Sequence, residues 1–165
     1  MIRVLVAEDS ATARELLVQV LSSDPEIEVV GQATDGIEAV AMTSRLRPDL
    51  VTMDIHMPRL DGLAATEEIM IATPTPIVIV TGSRRAREVE ASLETLRSGA
   101  LEVLEKPPNP GSPDFDAAAR RLVSAVKAMS RVKVVRRWRQ PAPQSHAAPR
   151  PVPPPSAPGG VRVRA

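Results

Sequence analysis

Short apolar runs rich in β-branched residues recur five times before residue 105, and between them the apolar positions fall at helical spacing. Ile2–Ala7 is nearly continuous in Ile, Val and Leu, as expected of a strand covered on both faces. Residues 28–32, 49–54, 76–81 and 101–104 repeat this pattern, the first of them more weakly. After Ser10, a good helix cap, Ala13, Leu16, Leu17, Val20 and Leu21 predict a first helix. Asp35-Gly36 opens a second, carrying Ile37, Val40, Ala41 and Thr43-Ser44 and stopping before Pro48. Leu63, Thr66, Ile69 and Met70 predict a third over 60–72. Val89, Leu93 and Leu96 predict a fourth over 84–98. Leu122, Val123, Val126 and Met129 predict a fifth, from Phe115 to about residue 131.

Strands alternating with helices predict an α/β fold: a doubly wound five-stranded parallel sheet in the flavodoxin-like order 2-1-3-4-5, with five helices on its two faces. That order sets strands one and three side by side, with the ligand crevice at their carboxyl ends. Glu8 and Asp9 end the first strand and Asp54 ends the third, so the three acids converge. Standing alone, Asp54 could be a cap for the next helix. With Glu8 and Asp9 beside it, a different chemistry follows. Carboxylates crowded in one crevice repel one another unless a hard cation sits among them, and Mg2+ is the natural choice. Thr81, ending strand four, can offer its hydroxyl to an anion at the same rim. Lys106, ending strand five, can reach in from the other side. A carboxylate nucleophile, a divalent cation, a hydroxyl and an ammonium together suit phosphoryl transfer to an aspartate.

Charge divides the chain. Residues 1–126 hold twelve Lys and Arg against twenty Asp and Glu, a formal −8, whereas residues 127–165 hold nine Lys and Arg and no acid. An acidic folded domain followed by a basic tail is expected. Lys127, Arg131, Lys133, Arg136, Arg137 and Arg139 suit a helix end, where cations favour the dipole. Nucleic-acid contact is disfavoured, since only Trp138 offers a stacking surface; docking on an acidic partner or on this chain's own acidic domain stays open. Residues 141–158 contain eight prolines and precede Gly159-Gly160, the composition of a linker. No cysteine, no secretory signal pattern and no apolar run of ~20 residues occur, so a cytoplasmic protein without membrane insertion is expected.

Glu8-Asp9, Asp54 with Met57-Pro58 and Asp61-Gly62, Thr81-Gly82 and Lys106-Pro107 each sit at a strand end and occur in this order. On these residues the sequence resembles a receiver domain of the two-component response regulators, over residues 1–130. Within receivers, residues 74–80, 99–107 and 57–63 resemble the chemotaxis protein-glutamate methylesterase, whose receiver precedes a Ser-His-Asp esterase domain. The resemblance implies that Asp54 accepts a phosphoryl group from a histidine kinase of the chemotaxis type. It implies Mg2+ held by Asp9, Asp54 and the backbone carbonyl of His56, with Glu8 acting directly or through water. Thr81 and Lys106 would hold the phosphoryl oxygens, and the Lys106–Pro107 bond would be cis. Val103 stands where many receivers carry a Tyr or Phe.

The domain plan expected on this basis is a receiver over 1–130 and a basic, then Pro-rich linker over 131–160. Residues 161–165 would be the opening of a missing esterase domain, because Val161-Arg162-Val163-Arg164 alternates like a new strand. A stand-alone receiver that signals by binding a partner is the alternative. A metal-dependent phosphatase fits less well, as it expects an Asp where His56 stands. The His56 side chain, a lone histidine beside a carboxylate site, is not expected to ligate metal. No nucleophile-elbow pattern occurs before the tail, and Ser145-His146 lies among prolines that would not hold triad geometry, so no esterase site is expected in this chain.

Overall fold

The computed structural model describes residues 1–82 and 101–134. Its strands are β1 (Ile2–Ala7), β2 (Ile27–Ala33), β3 (Leu50–Met53), β4 (Ile77–Thr81) and β5 (Leu101–Glu105). Its helices are α1 (Ala11–Ser22), α2 (Gly36–Leu46), α3 (Gly62–Ala72) and α4 (Phe115–Met129). All strand pairs are parallel, in the order β2-β1-β3-β4-β5 that the sequence predicts. The helix expected over 84–98 lies outside the described residues. So do Trp138, Ser145-His146, the proline-rich stretch and residues 161–164.

Alternation along the strands splits the core in two. Leu5, Ala7, Val51, Met53, Ile77 and Ile79 face Ala39 of α2 and Ala65, Ile69 and Met70 of α3. Val4, Val6, Leu50, Val78 and Val80 face Leu17 and Leu21 of α1 and Leu122 and Val126 of α4. Ser10, Asp35 and Asp61 cap α1, α2 and α3 by accepting from Ala13 N, Glu38 N and Ala64 N. Lys127, near the end of α4, bridges Asp24 and Glu26 of the α1–β2 turn, at 2.7 Å from each. The chain then runs past the N-terminal edge of the sheet. Ser130 and Arg131 share a recess with Met1, Ile2 and Asp49, and Val134 packs against the core on the α2–α3 side.

On α2 the expected Val40 and Thr43 meet the core, but Ile37 and Ala41 do not. Ile37 is 53% exposed and Ala41 is exposed, while α2 buries Gly36, Ala39 and Thr43. The cause is contact with the loop after β3: a Cβ on Gly36 would collide with the backbone carbonyl of Leu60. Gly36 must therefore face inward, and its neighbour Ile37 is carried to the surface.

Thr52, buried in the middle of β3, has a hydroxyl with no hydrogen-bond partner. Burying an unpaired hydroxyl costs about 1–3 kcal/mol, and valine has nearly the same shape. Thr52→Val is expected to raise stability by about 1 kcal/mol, read as a higher urea midpoint at unchanged slope.

Candidate functional site

Backbone pairing carries the acids just beyond the strands. Glu8 N–H donates to Ala33 O at 2.9 Å, and Asp54 N–H donates to Ala7 O at 3.0 Å. The carboxylates of Glu8, Asp9 and Asp54 offer oxygens that all lie within 4.8 Å of one another. Glu8 and Asp54 are buried, at 0% and 4% exposure, while Asp9 is exposed at the mouth. Ile55 N–H donates to Asp54 Oδ1 at 2.8 Å, and Ser10 N–H donates to Glu8 Oε1 at 3.2 Å.

Lys106 closes the crevice from the β5 side. Its Nζ lies 3.2 Å from Asp54 Oδ2, 3.2 Å from Glu8 Oε1 and 3.0 Å from Glu8 Oε2. The last of these is close enough for charge attraction but outside hydrogen-bond geometry, so Glu8 Oε2 is a buried oxygen without a donor. Burial pushes the Glu8 carboxyl up to about 7; the Asp54 charge adds to this and Lys106 opposes it. Burial alone would lower the Lys106 ammonium, but its bonds to Glu8 and Asp54 and their charges hold it above the ordinary lysine value.

The other expected residues are placed as follows. Thr81 is buried at the end of β4, and its carbonyl accepts from Lys106 N–H at 2.8 Å, so the two residues are tied through the backbone. The His56 side chain is exposed and is not part of the carboxylate cluster. The Lys106–Pro107 bond corrects an expectation: no peptide bond among the described residues is cis. Lys106 still enters the crevice, because its N–H continues the β4–β5 pairing and its long side chain spans the remaining gap. Val103 is half-buried against the core on the α2–α3 side.

Two features escaped the motif reading. The loop after Asp54 is clamped from both ends: Gly62 N–H donates to Ile55 O at 2.8 Å, and a Cβ on Gly62 would collide with the Asp54 carbonyl. Arg59, in a left-handed conformation with φ 70°, pairs with Asp35 at 3.8 Å. The second feature is Arg14, whose guanidinium donates to the Glu8 carbonyl at 2.9 Å. The acceptor is a main-chain oxygen, so no side-chain motif signals this bond.

These residues fit a hard divalent cation. The donors are all carboxylate oxygens, and one buried oxygen lacks a hydrogen-bond donor. No helix among the described residues is long and apolar enough to cross a membrane.

The chain also matches known proteins. Residues 4–112 match the response regulator receiver domain. A protein-glutamate methylesterase/protein-glutamine glutaminase of Myxococcus xanthus is 57% identical over 154 residues, 93% of this chain and 42% of that protein. One from Anaeromyxobacter dehalogenans is 58% identical over 160 residues, 97% of this chain and 46% of its own length. The chain thus spans less than half the length of these two relatives. The crystal structure of the response regulator domain of Thermotoga maritima CheB aligns with a TM-score of 0.70 at 38% identity, covering 81% of this chain and 98% of that one. A matching family model, relatives that cover most of this chain and a receiver structure that superposes on it lead to one assignment: the chain belongs to the response regulator receiver domain family and is similar to the receivers of protein-glutamate methylesterases.

Proposed function

We propose that this chain is the phosphorylatable regulatory receiver of a chemotaxis methylesterase, with Asp54 accepting a phosphoryl group from a histidine kinase. One observation carries the reading: Lys106 Nζ reaches both Glu8 and Asp54 in a crevice that also gathers Asp9. Ile55 N–H holds Asp54 Oδ1, so Oδ2, which accepts from the movable Lys106 side chain, is the oxygen that attacks phosphorus. As the new O–P bond forms, the P–N bond of the kinase's phosphohistidine breaks and its electron pair returns to the imidazole, which leaves as the neutral ring when its other nitrogen carries a proton and otherwise takes one from water. Lys106 then turns from the carboxylates to the phosphoryl oxygens, and the Thr81 hydroxyl donates to another of them. A bound Mg2+, held by Asp9, Asp54, the His56 backbone carbonyl and, directly or through water, Glu8, would supply the charge that offsets the incoming phosphoryl group. The charge change governs a methylesterase output domain of the kind that the relatives' names record, in the cytoplasm.

The test is intact mass after incubation with acetyl phosphate and Mg2+. The wild-type chain is expected to gain one phosphoryl group and Asp54→Asn none. Equal gain in both would overturn the assignment.

A further inference from the structure

Asp9 stands at the point where regular pairing stops. β1 ends at Ala7, and the last ladder-like bond on its β2 side is from Glu8 N–H to Ala33 O. Asp9 is exposed, yet its carboxylate stays with those of Glu8 and Asp54. Two hydrogen bonds bracket it. On one side Ser10 N–H donates to Glu8 Oε1 at 3.2 Å, while the Ser10 hydroxyl caps α1. On the other, Arg14 Nη1 donates to the Glu8 carbonyl oxygen at 2.9 Å. That carbonyl belongs to the Glu8–Asp9 peptide, so Arg14 sets the plane from which the Asp9 side chain projects. Arg14 is half-buried on the first turns of α1, a rigid base for a long side chain. Among the described residues its guanidinium is in no ion pair with the three acids. It acts on the backbone between two of them and leaves their oxygens free.

We infer that Arg14 is a positioning residue for the cation site: it fixes the Glu8–Asp9 peptide so that Asp9 is held ready beside Glu8 and Asp54. The inference rests on the proposed reading of this crevice as a phosphoacceptor site that takes a divalent cation. An exposed carboxylate that must be gathered on binding loses rotamer and backbone freedom at that moment; one already held does not. Outer partners of metal-binding residues typically change affinity 10–100-fold when removed.

The experiment titrates the full chain with Mg2+ by calorimetry, and with Mn2+ by electron paramagnetic resonance, for wild type, Arg14→Gln and Arg14→Lys. Urea unfolding without cation is followed in parallel. Arg14→Gln is expected to weaken binding of both ions by about tenfold with a small change in urea midpoint, and Arg14→Lys to recover part of the loss. Phosphorylation by acetyl phosphate should be slowed in Arg14→Gln at low Mg2+ and restored at saturating Mg2+. Unchanged ion affinity in Arg14→Gln would overturn the inference. So would a slow rate that saturating Mg2+ does not restore, or a loss of affinity matched by a collapse of stability in both variants. If the wild-type chain bound neither ion, the phosphoacceptor reading itself would fall, and this inference with it.

Discussion

Gly62→Ala is expected to lower stability by about 3 kcal/mol, the upper end of the usual range for overpacking, and to slow phosphorylation of Asp54 by roughly 100-fold. The added Cβ meets the Asp54 carbonyl and the Ile55 Cα, which are backbone atoms at the end of β3 and cannot swing aside as a side chain would. The penalty is one of contact, because Gly62 is an ordinary first helical residue behind the Asp61 cap. Relief must come from moving Asp54 or shifting α3, and either change displaces the phosphoacceptor from Lys106. Urea unfolding without Mg2+, and mass increase with acetyl phosphate, measure the two effects. Gly111→Ala is the control, since a Cβ there meets nothing within 4 Å; it is expected to stay within about 0.5 kcal/mol of wild type. Wild-type phosphorylation kinetics in Gly62→Ala would refute the argument.

Lys106→Met should produce the second large effect, and a pH-dependent one. In the wild type Glu8 titrates above its unfolded value, so the folded chain holds that proton more tightly than the unfolded chain does. The stability linked to this group is complete below pH ~4.5 and is lost as pH rises towards about 7. Removing the ammonium takes away the interactions that oppose this shift, which moves the Glu8 carboxyl higher and extends the loss to higher pH. Near pH 5, where Glu8 keeps its proton and only the Asp54 pairing is lost, the deficit should be smaller. At pH 8.5, where the Glu8 interactions with the ammonium are missing as well, it should be about 3 kcal/mol less stable, the lower end for breaking a buried ion pair. Added Mg2+ should recover much of that deficit, because a cation again sits among the carboxylates. Urea curves at both pH values, with and without Mg2+, check this. A deficit independent of pH would mean that lost packing, not charge, is responsible.

The sheet order and the acidic crevice were legible because the relevant signals are local. Each strand is a short apolar run, and each acid follows directly on one, so topology alone brings Glu8 and Asp54 together. What the sequence could not disclose depends on backbone contacts between distant segments. On α2 the Leu60 carbonyl lies against Gly36, and no periodicity in residues 36–46 records that contact, so nothing local marks Ile37 as exposed. Arg14 bonds a main-chain oxygen, which no pattern of side chains marks. The Lys106–Pro107 isomer was carried over from resemblance, whereas here a trans bond and a long side chain suffice to reach the crevice.

The path of residues 130–134 has a mechanical consequence. Because Ser130 and Arg131 pass the N-terminal edge of the sheet and Val134 is seated on the α2–α3 side, the chain does not depart from the end of α4. Each residue extends a chain by at most ~3.3–3.6 Å, so moving the point of departure changes which surfaces a short tether can reach. Lifting Val134 from its seat would move the point of departure back to the end of α4 without disturbing any strand or helix.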